Sequence, residues 1–215
     1  MTIEHSLVAE NIHVLTCETQ RDVASIFLRF QEHYESPRFR GEIFSLEEFT
    51  LWYIQTSPGG MASGKFTYYT DWNGFNIPSY VLKPFYEGKF SPLSEQEEVL
   101  LHIFENEAEP FYIIGIHKAL EHVDRLLVHE IAHGLFYTNK QYRGDVLRVL
   151  SQFDLEPLKE ELRLKAGYHE EVLHDEIHAY SIDAQSNLET PIPKALSLEL
   201  RKLYESYLNL TNAKF

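Results

Sequence analysis

The stretch "LLVHEIAHGLFY", residues 126–137, places His129 and His133 four residues apart, with Glu130 directly after the first. On a helix, residues i and i+4 project from one face about a turn apart, so both imidazoles can reach one cation. No proline interrupts the run, and Leu126, Leu127, Val128, Ile131, Ala132, Leu135 and Phe136 make a buried helix the expected conformation. With 11 His and 26 Glu, a shuffled chain of 215 residues would contain this pattern about 0.07 times, so its context decides what it means. Plotted at about 100° per residue over 119–137, most apolar side chains fall on one side and the two histidines on the other. They are expected to face a cleft, with Glu130 beside it and placed to take a proton from water.

A catalytic zinc site uses three protein ligands and keeps one position open. The segment "EEVLHDEIHAYSID", residues 170–183, is where the third ligand is sought. His174 and His178 repeat the opening spacing. The apolar side chains, however, average to a direction from which Glu176 departs by about 30° and Asp183 by about 50°, while His174, His178, Glu170 and Glu171 point away. A carboxylate on a packed face needs a strong partner. That partner is either a cation held by His129 and His133 or an Arg or Lys of a neighbouring helix; the first makes Glu176 the third ligand. Asp183, two turns later, is expected to accept the second N–H of a zinc histidine.

His129-Glu130-x-x-His133, followed by a glutamate on a later helix, resembles the gluzincin branch of the zincin metallopeptidases. "Asp175-Glu176-Ile177-His178-Ala179-Tyr180" is similar to the second-helix motif of several small members, in which the glutamate is a ligand. The likeness covers about residues 110–185. It implies one Zn²⁺, a peptide or protein substrate, and Glu130 as general base. It also implies a strand before the metal helix that pairs with an extended substrate, for which "PFYIIGI" (110–116) has the right place and character. The longer HExxHxxGxxH signature is absent, because Phe136 and Arg143 stand where its glycine and last histidine would be. For the residue that donates to the oxyanion, Tyr180 leads; Tyr137, Tyr142 and His174 stay open.

Composition sets the outer limits. A net charge of −14 argues against unaided binding to nucleic acid or anionic membrane, which reward clustered Lys and Arg. The lone Cys17 fits a reducing compartment, and neither a signal peptide nor an apolar run of membrane-spanning length is legible. A cytoplasmic protein is therefore expected, with a translocated effector open.

Along the chain, helices are predicted over 20–35, from Ser45 with a capping box to Glu48, and over "SEQEEVLLHIFEN". "SPGGMASG" reads as a flexible loop, and Asn73-Gly74 as a tight turn between two extended pieces. From Lys118 the chain reads as mostly helical. One helix is ended by Asn139, another opens near Pro157 and is capped by Gly167, and the last starts at Pro193. The expected architecture is α+β and zincin-like: one domain, with a lobe over 1–117 carrying a small mixed sheet and a helical lobe over 118–215 carrying the metal helix. The competing functions are hydrolysis of other amide or ester bonds, and a non-catalytic binding protein for which the aromatic segment 66–86 could form a recognition surface; the preferred reading of those aromatics is that they pack the N-terminal lobe.

Overall fold

Asn11, at a φ of 61°, closes a turn between two strands, β1 (Ile3–Ala9) and β2 (Ile12–Cys17). The computed structural model describes residues 2–166, 168–183 and 188–212. The chain is mixed α+β, with a four-stranded mixed sheet in the order β1-β2-β4-β3. Its other strands are β3 (Phe75–Pro78) and β4 (Tyr112–His117), paired antiparallel with Phe75 opposite Gly115 and Pro78 opposite Tyr112.

The chain divides into two compact units: Met1–Ser6 with His13–Glu121, and Leu7–Ile12 with His122–Phe215. In the first, α1 (Gln20–Glu35) starts from a capping box between Thr19 and Asp22. It is followed by α2 (Leu46–Thr56), α3 (Pro58–Ser63), α4 (Tyr68–Asp71), α5 (Lys83–Tyr86) and α6 (Glu95–Phe104). Helix α1 packs on β3, β4, α4 and α6, and buries Val23, Ile26, Phe27 and Phe30 completely. Tyr68, Phe75, Ile77, Val81, Leu82 and Phe85 of the aromatic segment belong to this core; Trp72, Tyr80 and Tyr86 are the exposed remainder. Most of that segment therefore packs the core of the first unit, the reading preferred for it from the sequence.

Several expectations are corrected. "SPGGMASG" is not a loop but α3, N-capped by Ser57 and ended by Gly64 at a φ of 66°. Gly60 serves close approach there, since a Cβ would lie 2.6 Å from the backbone of Ile54. Asn73-Gly74 joins α4 to β3 and makes no hairpin, because residues 68–71 are helical rather than extended. Strand β4 lies between β2 and β3, so its hydrogen-bonding edges are already paired and it cannot take up a substrate by strand addition. Ser45 does cap α2, accepting from the Glu48 amide.

In the second unit come α7 (Val123–Thr138), α8 (Lys140–Leu150), α9 (Glu156–Glu161) running into a π-helical turn over Leu162–Ala166, α10 (Leu173–Asp183) and α11 (Lys194–Asn212). Helix α7 begins at Val123 rather than near Lys118, after His122 at a φ of 57°. Asn139 ends it and caps α8, its side chain accepting from the amides of Gln141 and Tyr142. The expected cap at Gly167 lies outside the described residues. Helix α10 packs on α7, α8, α9 and α11, and Leu173, Ile177 and Ala179 are completely buried. Among the described residues, no helix is long and apolar enough to cross a membrane.

Candidate metal centre

Helix α7 carries His129 and His133 one turn apart, and their Nε2 atoms lie 3.2 Å from each other. Two nitrogens bound tetrahedrally to one zinc at about 2.0–2.1 Å would stand roughly 3.3 Å apart. Helix α10 brings Glu176 to the same point: its Oε1 is 3.9 Å from Nε2 of His133, and ligand atoms of all three residues lie within 4.8 Å of one another. Glu176 is buried because it shares a packed face with Leu173 and Ala179. Its Oε2 has no hydrogen-bond partner, and neither has Oε2 of Glu130. Orphaned buried carboxylate oxygens beside two imidazoles suit a cation. Among the described residues this is the one group of three or more His, Cys, Asp or Glu side chains with such geometry.

The electrostatics follow from crowding acids in a dry space. Burial pushes Glu130 up to about 7, with the charges of Glu176 and Asp175 adding to it and His133 opposing. Burial likewise raises Glu176 to about 7, offset by His133 and by a hydrogen bond from Tyr168. His129 is lowered to about 3 by burial and by the adjacent His133. Burial disfavours the charged form of His133 too, but Asp175 and Glu176 outweigh it and hold the imidazole well above its usual range. A divalent cation would meet the same concentration of negative charge.

The carboxylate that holds a candidate ligand from behind is Asp175. Its Oδ2 stands 2.9 Å from Nδ1 of His133. Asp183, expected in that role, instead accepts from Nε of the exposed Arg125 at 3.4 Å, so the assignment to Asp183 is corrected. His178, expected to point outward, is completely buried against Phe136 and Tyr142, because helices cover α10 on nearly every side. It is not part of the ligand group, and neither is the half-buried His174.

The tyrosines sort by their partners. Tyr142 is completely buried, with its hydroxyl 2.7 Å from Nε2 of His178, which removes it as an oxyanion donor. The half-buried Tyr180 sets its ring centroid 5.0 Å from that of His129 and shares a hydrogen bond with Tyr168. Tyr137 is half-buried on the last turn of α7. Tyr168, which bonds to the carboxylate of Glu176, was not singled out from the sequence; it precedes α10 and shares no helical period with it. Asp175 had one visible signal, its position directly before Glu176, but the direction of the apolar face masked it.

Compared with known proteins, the chain matches no family model, no curated protein sequence and no solved structure.

Proposed function

We propose that the protein is a zinc-dependent peptidase of gluzincin type, with His129, His133 and Glu176 as the metal ligands and Glu130 as the general base. One observation carries the reading: three ligand atoms within 4.8 Å of one another, next to a carboxyl whose buried Oε2 has no partner. A carboxyl in that place can accept a proton from water and return it, which is what hydrolysis asks of its base. Two nitrogens and one carboxylate oxygen form a donor set suited to zinc, which when bound acts as a Lewis acid toward water and a carbonyl oxygen.

The chain's own groups divide the work. Glu130 takes the proton of the attacking water and returns it to the leaving amine. Asp175 holds the His133 ring by its Nδ1. Tyr180, beside His129, is the candidate to donate to the developing oxyanion. The substrate is a peptide or protein.

The test is Glu130→Gln, with metal content and digestion of a broad peptide library measured together. Retained zinc with a loss of turnover of about 100-fold or more is expected. Cleavage at the wild-type rate would remove Glu130 as the base. Library peptides left intact by a zinc-loaded wild-type protein would shift the reading to other amide or ester bonds.

A further inference from the structure

Behind the metal group, α10 and α8 bury a line of polar atoms that the proposed reaction does not touch. Asp175 places Oδ2 2.9 Å from Nδ1 of His133 and Oδ1 3.4 Å from Nδ1 of His178. On its far side, Nε2 of His178 is 2.7 Å from the hydroxyl oxygen of Tyr142. His178 and Tyr142 are both completely buried. Apolar side chains would fill the same space without polar atoms to satisfy, so their presence in a helical core calls for a reason.

The line has one proton arrangement that satisfies every member. For His133 to offer the lone pair of Nε2 to a cation, its proton must sit on Nδ1, where it is donated to Oδ2 of Asp175. Asp175, as a carboxylate, only accepts. Its Oδ1 therefore gains a donor only when His178 also carries its proton on Nδ1. Nε2 of His178 is then an acceptor, and the hydroxyl of Tyr142 donates to it. With the proton on Nε2 instead, the Nδ1 lone pair of His178 would face a carboxylate oxygen, and the line would break at its centre. Tyr142 thus selects the tautomer of His178, and His178 completes the hydrogen bonding of Asp175.

We infer that His178 and Tyr142 are positioning residues for the metal centre, fixing through Asp175 the tautomer and ring plane of His133 that leave Nε2 open to a cation. The inference rests on reading His129, His133 and Glu176 as a metal site, and extends it to two residues that touch neither metal nor substrate.

The test is titration of the metal-stripped full chain with Co²⁺, following its ligand-field absorption, alongside thermal melting of each metal-free variant. His178→Asn keeps an N–H close to the place of Nδ1 but leaves a void; His178→Phe fills the space but offers no donor. A packing role predicts that Phe is tolerated better than Asn. A positioning role predicts the reverse for Co²⁺ affinity: a loss of about tenfold or more for Phe and within about threefold for Asn. Tyr142→Phe, which removes one oxygen and leaves Nε2 of His178 unpaired, should weaken Co²⁺ binding by roughly three- to tenfold while lowering metal-free melting by only a few degrees, and so carries the test even if the His178 variants do not fold. In spectra of ¹⁵N-histidine-labelled wild type, His178 should carry its proton on Nδ1. Wild-type affinity in Tyr142→Phe, a Phe variant that binds better than Asn, or His178 protonated on Nε2 would each overturn the inference. A wild-type chain that gives no Co²⁺ spectrum would instead overturn the metal-site reading beneath it.

Discussion

The carboxylate of Asp175 stands 2.9 Å from Nδ1 of His133, on the side of the ring opposite the nitrogen that faces Glu176. Adjacent residues of α10 thus address both nitrogens of one imidazole on α7. The ring's orientation and the proton on Nδ1 are held before any cation arrives, so binding has to displace only the proton on Nε2.

Asp175→Asn should therefore weaken zinc binding by about 10–100-fold, the range for loss of an outer hydrogen-bond partner of a ligand histidine. Competition with a chromophoric chelator measures it. Affinity within about twofold of wild type would show that Asp175 does not orient His133.

Glu176→Ala removes the proposed third ligand and should cost more than Asp175→Asn in the same assay, with zinc lost on dialysis. Unchanged stoichiometry and affinity would return Glu176 to the role of a buried acid paired with neighbouring groups.

Gly134, in the middle of α7, forgoes about 1 kcal/mol of helix propensity relative to alanine. The reason is close approach: a Cβ there would lie 2.8 Å from Cδ1 and 3.1–3.2 Å from the other γ-carbons of Ile12. Gly134→Ala should be destabilising by about 1 kcal/mol, overpacking outweighing the propensity gain. Overpacking of about 2 kcal/mol against a gain of about 1 gives that net loss, so in a double-mutant cycle with Ile12→Ala the pair should recover about 2 kcal/mol relative to the sum of the single changes. Additivity within about 0.5 kcal/mol would assign the glycine to some other cause.

His13 on β2 is packed edge-on against Phe104 and Phe111, with Nδ1 3.0 Å from Nε2 of His5 and Nε2 3.8 Å from Glu107. Burial, with the nearby His5, lowers it from 6.5 to about 4. The unfolded chain then binds the proton more readily, so stability falls as pH drops from about 6.5 to about 4 and is level on either side of that window. The expected size is about 1–2 kcal/mol, discounted for partial solvent screening. Denaturant unfolding of wild type and His13→Phe across that window checks it. Equal pH slopes in the two proteins would remove His13 from the account.

The sequence carried some elements fully and others not at all, for physical reasons. Helix α1 is legible to the residue because its apolar positions follow the helical period; the Thr19–Asp22 capping box that starts it is visible only in the structure. The pair on α7 was legible because i and i+4 on a helix leave little freedom. Glu176 could be found because burying a carboxylate is conspicuous. The hairpin β1–β2 went unread: β2 is buried along nearly its whole length, so no alternation marks it as a strand. The choice between Asp175 and Asp183 depends on where α10 crosses α7, a tertiary fact that a single-helix projection does not contain. Helix α3 reads as a loop because glycine signals freedom in sequence, whereas Gly60 serves contact with α2.

The residue against which Gly134 packs comes from Leu7–Ile12, a short piece near the start of the chain that belongs to the second unit. The unit that carries the candidate metal centre is therefore discontinuous, and no single cut releases it whole. A fragment beginning at His122 would leave bare the side of α7 that Ile12 covers. On a ribosome, the helix that presents His129 and His133 meets a partner made more than a hundred residues earlier, so trimming the first dozen residues removes part of the wall behind that helix while leaving every proposed ligand in place.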